Sequence, residues 1–200
     1  KRYFEISKRT PTLYTYNFSK GRISPFDHLF KQYAKEIGWD WRLFAAQGYA
    51  ESRFDSTQVS WAGARGVMQI MPATARAYGL TSENMAYNDR SIATAARIIA
   101  TLDRTLRSRV HDAEERKKFI VAAYNSGPAH VLDAIALAEK YGYDTQRWDG
   151  QVAQALLLKS KPEYYNDPVC KYGYFSGRQT TSYVREVFDF YEKAKKKIPK

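Results

Sequence analysis

Two hundred residues, 44% of them hydrophobic and 26% charged, fit one globular domain with or without an arm and exclude a disordered chain. No apolar run approaches the roughly 20 residues that a membrane-spanning helix needs. The formal net charge of +11 favours a polyanion such as nucleic acid, anionic lipid or an acidic wall polymer, and equally fits a solvated basic face. Part of that charge sits at the ends: Lys1, Arg2, Lys8, Arg9, Lys20 and Arg22 in front, Lys193, Lys195, Lys196, Lys197 and Lys200 behind. The chain opens at Lys1 without a signal peptide or initiator Met, as a processed or excised piece does.

Residues 1–22 are basic, rich in Tyr and Thr and without helical periodicity. They read as an arm or linker from an upstream domain, and residues 23–200 as the working domain. Ser24 is the expected N-cap of a first helix, with Pro25 at its first position, and Gly38 its stop. Phe26, Leu29, Phe30, Tyr33 and Ile37 supply its apolar stripe. Asp40 is the expected cap of a second helix that carries Phe44, Gln47 and Glu51 on one face and ends near Phe54.

A short helix is expected from Pro72 to Gly79, and a long one capped by Asn88-Asp89 with Ile92, Ala95, Ile99, Leu102 and Leu106 as its stripe. Another ends at Asn125-Ser126-Gly127. Pro128 restarts a helix that runs to Gly142. The pattern predicts a helix over Trp148–Leu158, a long aromatic loop over Lys161–Gly177, and a last helix capped by Thr180 or Thr181. Few segments alternate with period two, so the fold class is all-α with little or no sheet.

Glu51 is the first candidate for chemistry. A carboxyl group on an apolar face is disfavoured in its ionised form, which keeps a proton at hand for a glycosidic oxygen. Gly63 and Gly66, with Ala62 and Ala64, let backbone approach a ligand. Gln69 offers an amide to hydroxyl or acetamido groups, and Met68 and Met71 supply soft apolar walls. Tyr124 can hydrogen-bond a carboxyl group, and Asn125 can cap or bind ligand. Asp55, one turn after Glu51, reads as a turn residue rather than a second acid. The single Cys170 cannot form an internal disulfide, and no His lies near it in sequence, so it reads as a buried structural thiol. His28, His111 and His130 are far apart and none has an H-x-x-x-H partner, so neither a metal nor a cofactor is expected.

Glu51-Ser52, Gly66-Val67-Met68-Gln69-Ile70-Met71-Pro72 and Ala123-Tyr124-Asn125-Ser126-Gly127 resemble the three signature motifs of the soluble-lytic-transglycosylase catalytic domain. Ala129-His130-Val131-Leu132-Asp133-Ala134, Lys171-Tyr172-Gly173-Tyr174, Gly177 and Tyr183-Val184 are similar to the membrane-bound lytic murein transglycosylase F group. The resemblance covers roughly residues 24–192. It implies a goose-type lysozyme-like helical domain with a substrate cleft, acting on peptidoglycan glycan strands in the periplasm. It also implies a monomer, with any membrane association, to the outer membrane, made through an upstream part. Glu51 matches the family's acid/base. Ser60 matches a sugar-contacting serine, Gln69 and Met71 match cleft residues, and Tyr124 and Asn125 match the tyrosine motif beside the acid. Gln179 stands where soluble members often have Glu, so no role passes to it.

The implied reaction needs one acid. Glu51 would protonate the bond between N-acetylmuramic acid and N-acetylglucosamine, then accept the proton of the muramic 6-hydroxyl, leaving a 1,6-anhydro end. A lysozyme-like hydrolase on the same fold, a non-catalytic wall-binding module and a nucleic-acid binder are the alternatives. The end-loaded charge and core-spaced aromatic residues weigh against nucleic acid.

Overall fold

The computed structural model describes residues 18–200. The expected arm therefore falls largely outside the described residues; its last part is a single turn of 3-10 helix, Phe18–Lys20. Among the described residues the regular structure is helical. The exceptions to it are two isolated antiparallel bridges, Val59 with Arg65 and Arg65 with Ile70. The chain divides into two compact units, one of residues up to 97 together with 187–200, the other of residues 98–186. Two helices, α4 (Asn88–Leu106) and α9 (Arg178–Lys197), continue through the division.

In the first unit, α1 spans Asp27–Ile37. It starts later than the expected Pro25, yet Ser24 still caps the approach, its hydroxyl oxygen accepting the Phe26 amide at 3.1 Å. The Asp27 carboxylate accepts the Ile23 and Ser24 amides at 2.8 and 2.7 Å and the Ser24 hydroxyl at 2.8 Å, so the chain before the helix folds back onto an acid inside it. Gly38 ends α1 in the left-handed region at φ 68°, as read.

The second helix, α2, runs Trp41–Ser52, and Asp40 caps it by accepting the Arg42 amide at 3.0 Å. The same carboxylate pairs with the Arg42 guanidinium, which also donates to the Ile198 carbonyl at 2.7 Å. Burial pulls the Asp40 carboxyl upward, but the bonds from Arg42 outweigh it and hold the group below its ordinary value. Tyr191 donates to Asp40 at 3.1 Å and Phe190 stacks on Tyr49 at 4.5 Å, so the end of the chain is part of this unit's core. Most of α2 is buried on every side. Gly48 allows this, because a Cβ there would lie 2.7 Å from the Phe30 ring and 3.3 Å from the Met68 sulfur. The short α3, Pro72–Ala77, begins with Pro at its first position, as expected.

In the second unit, α5 (Ala113–Ser126) starts at a cap that the sequence reading passed over: Asp112 accepts the Glu115 amide at 2.7 Å. Then α6 spans Pro128–Lys140 and α7 spans Ala153–Leu158. The predicted helix from Trp148 is broken at its start, because Asp149 and Gly150 are non-helical. Trp148 and Phe119, both fully buried, meet edge to face at 5.4 Å. Each such buried aromatic contributes about 1.5–3 kcal/mol over its exposed state. The aromatic loop expected over Lys161–Gly177 contains a one-turn helix, α8, Pro162–Tyr165. The last helix starts at Arg178, before both predicted caps. Thr180 is buried inside it and donates to Asn125, while Thr181 donates back to the Arg178 carbonyl; both lie within the helix rather than ahead of it, so neither is its cap.

Candidate functional site

Glu51 lies in the last turn of α2 and is 7% exposed. The helix ends at Ser52, one residue later, because Arg53 and Phe54 both take positive φ, 56° and 63°. Two consecutive non-glycine residues in the left-handed region are costly, and the following turn compensates. Asp55 caps that turn, accepting the Thr57 amide at 2.9 Å and its hydroxyl at 2.6 Å. Its carboxylate is committed locally, as the turn chemistry predicts.

The segment Gln58–Ile70 then folds over on itself. Ser60 closes a tight turn, its carbonyl accepting the Gly63 amide at 2.9 Å and its hydroxyl accepting the Ala64 amide at 3.0 Å. Arg65 and Ile70 exchange both backbone bonds at 3.1 Å. Gly66, at φ 79°, passes so close to Met85 and Ser91 that a Cβ would lie 3.0 Å from the Met85 carbonyl oxygen and 3.2 Å from the Ser91 hydroxyl. Ser52, next to Glu51, donates to the Val67 carbonyl at 2.8 Å and so ties the end of α2 to this block.

Gln69 is 6% exposed and holds a positive φ of 48°. Its Nε2 donates to the carbonyls of Gln58 and Gly66 at 3.0 and 2.9 Å, and its Oε1 is buried without a hydrogen-bond partner. The amide expected to face a ligand is thus half used as a brace for the loop. Met71 is 38% exposed, whereas Met68 is fully buried in the core. Val59 and Trp61 on the same segment are 55% and 73% exposed.

Tyr124 and Asn125 belong to the second unit, in the last turn of α5. Both are half-buried. Asn125 Oδ1 accepts the Thr180 hydroxyl at 2.8 Å, which fixes the amide. Gln179 lies beside this contact in the first turn of α9, also half-buried.

The same unit holds a cluster that sequence reading missed. Lys159 is fully buried and donates to Asp133 Oδ2 at 2.6 Å. It also meets His130 Nδ1 at 2.9 Å. Asp133 accepts two further bonds, from the Lys171 and Tyr172 amides at 2.9 and 3.0 Å. His130 stacks on Phe175 at 4.2 Å, and the Phe175 amide donates to the Lys159 carbonyl at 3.1 Å. Burial, then the neighbouring Lys159 charge, pushes the His130 imidazole below its ordinary value. Asp133 stood in a quoted motif, but nothing in the spacing points to Lys159 as its partner 26 residues away. Cys170 is half-buried rather than buried, and desolvation pushes its thiol up, away from the thiolate a nucleophile needs. No group of three or more His, Cys, Asp or Glu arranged for a metal occurs among the described residues. No helix there is long and apolar enough to cross a membrane.

A family profile described as the transglycosylase SLT domain matches residues 28–146. The chain belongs to the transglycosylase SLT family. It is 35% identical over 173 residues to the membrane-bound lytic murein transglycosylase F of Marinobacter nauticus, covering 86% of this chain and 33% of that protein. It is 40% identical over 165 residues to the protein of the same name from Salmonella arizonae, covering 82% of this chain and 30% of that protein. The chain thus spans about a third of the length of these curated relatives. Its helical fold is similar to that of the 70-kDa soluble lytic transglycosylase Slt70 of Escherichia coli. The TM-score is 0.53 at 19% identity, over 83% of this chain and 23% of that one.

Proposed function

We propose that this chain is the catalytic part of a peptidoglycan lytic transglycosylase, with Glu51 as its one acid and base. The observation that carries the reading is the burial of Glu51 at the end of α2, tied through Ser52 to a loop with the family's Gly-Val-Met-Gln block. Burial and the carbonyl-rich C-terminal end of a helix both disfavour an ionised carboxylate. Glu51 protonates the glycosidic oxygen between N-acetylmuramic acid and N-acetylglucosamine, and the bond to the muramic anomeric carbon breaks. The 2-acetamido group assists from the opposite face, taking the place of a second carboxylate. Ionised Glu51 then accepts the proton of the muramic 6-hydroxyl, whose oxygen attacks the anomeric carbon. The acid is restored, and the product carries a 1,6-anhydro end without addition of water.

The remaining roles follow the chemistry each side chain has left. Ser60 and Met71 contact sugar, and Gln69, whose Nε2 braces the loop, lines the cleft beside them. Tyr124 and Asn125, in the last turn of α5, are further substrate-binding residues. The residues before 23 serve as the link to an upstream part. The substrate places the enzyme in the periplasm, and any membrane attachment belongs to the rest of the protein.

Digestion of purified sacculi tests this. The wild-type chain should release anhydromuropeptides, and Glu51→Gln should lose about 10²–10⁴ in rate while keeping its thermal transition. Products heavier by one water would favour the hydrolase instead. Undiminished turnover by Glu51→Gln would remove the mechanism.

A further inference from the structure

Gln47 is fully buried on α2, and neither its Nε2 nor its Oε1 has a hydrogen-bond partner. A buried amide left unpaired costs about 1–3 kcal/mol, and an apolar residue of the same shape would avoid that cost. The rest of the helix shows that such residues are accommodated here: Leu43, Phe44, Ala45 and Ala46 are all buried on the preceding turn. A glutamine at this place therefore calls for a reason outside packing.

Its position supplies one. Gln47 lies four residues before Glu51, so the two side chains leave the same face of α2 one turn apart, within reach of an i,i+4 hydrogen bond. A primary amide suits a carboxyl group that changes state. Nε2–H can donate to the carboxylate, and Oε1 can accept from the protonated acid. Arginine would serve only the ionised form, and a second carboxylate would resist it.

We infer that Gln47 is a positioning residue for Glu51, closing a hydrogen bond to its carboxyl when substrate is bound and following it through both protonation states. The inference rests on the acid/base role of Glu51 proposed above. It assigns no substrate contact to Gln47 itself.

Gln47→Met keeps the volume and removes the amide. It should retain or raise the thermal midpoint. On sacculi its kcat should fall about tenfold, with KM within about twofold and the pH–rate limb belonging to the acid displaced. Gln47→Met with wild-type kcat and an unmoved pH profile would overturn the inference, whatever happens to the midpoint.

A measurement on the wild-type chain covers the case in which the variant does not fold. The Gln47 side-chain amide resonances should shift on addition of a tetrasaccharide of alternating N-acetylglucosamine and N-acetylmuramic acid. They should also titrate with pH in step with Glu51, and stop doing so in Glu51→Gln. Resonances that respond to neither would refute the contact. A wild-type chain that forms no anhydro-product at all would instead refute the underlying reading, and the pH titration of the amide would still decide the role of Gln47.

Discussion

Two loops of similar length are fastened by opposite means. Gln58–Ile70, which follows the candidate acid, is held by backbone amides, the hydroxyls of Ser52, Ser60 and Ser91, and the amide of Gln69. Residues 159–175 of the other unit are held by formal charges: Lys159 on Asp133, with His130 against them, and Lys140 on Asp167. The acid/base role proposed for Glu51 gives the difference a reason in what each loop must tolerate. A fixed charge beside a carboxyl that gives and reclaims a proton would bias one state, whereas neutral donors and acceptors hold a backbone with little effect on that balance. Where no such proton is handled, a buried ion pair with all its acceptors filled gives a more exact geometry.

The largest expected effect comes from breaking the charged fastening. Lys159→Met leaves Asp133 buried and uncompensated, which should cost about 3–5 kcal/mol in urea unfolding. Adding Asp133→Asn should recover most of that loss, because the pair and not either charge alone is what the fold tolerates. A double variant no more stable than the single one would show that Asp133 serves chiefly the Lys171 and Tyr172 amides.

The neutral fastening should break at a smaller penalty. Gln69→Leu removes both bonds from Nε2 to Gln58 and Gly66, at about 0.5–1.5 kcal/mol each. Gly66→Ala should cost about 1–3 kcal/mol, since its φ of 79° and the 3.0 Å approach to the Met85 carbonyl oppose a side chain together. Thermal unfolding measures both. An intact Gly66→Ala protein would show that the loop shifts freely, and the idea of a rigid neutral brace would fail.

What could be read in the sequence was what a short window contains. Asp40, Pro72 and Gly38 did what local chemistry requires, because each acts on amides or torsions within four residues. Ser24 was legible as a capping residue, since it accepts the Phe26 amide, but its partner Asp27, three residues on, was not, and the helix starts only there. Thr180 misled because the helix begins two residues earlier, and its hydroxyl serves a partner 55 residues away. At the site, burial of Glu51 was legible from its helical face. The inward brace of Gln69 was not, since it depends on a positive φ that no glycine announced. The Lys159–Asp133 pair was silent for the same reason as Thr180: its meaning is made by the fold.

The smallest expected effect is an acid limb in stability that comes from the charged loop. Asp167 accepts bonds from Lys140 and from the Tyr141 hydroxyl, both at 2.7 Å, and from the Val169 amide at 3.1 Å. Those bonds, that from Lys140 foremost, bring its carboxyl down from an ordinary 3.8 to about 2. A carboxyl lowered on folding takes up its proton first in the unfolded chain, so stability falls as pH drops from about 4 and levels off below about 2. His130 acts in the same direction at a higher pH. Its folded value lies below the ordinary 6.5, so the unfolded chain binds that proton first and stability declines as pH falls below that point. Urea midpoints for Asp167→Asn should therefore flatten the dependence between pH 4 and 2, and those for His130→Phe should flatten it just below 6.5. Gln69→Leu should leave both slopes in place. A Gln69→Leu chain that lost either slope would mean that the two fastenings are one, and the contrast between them would be gone.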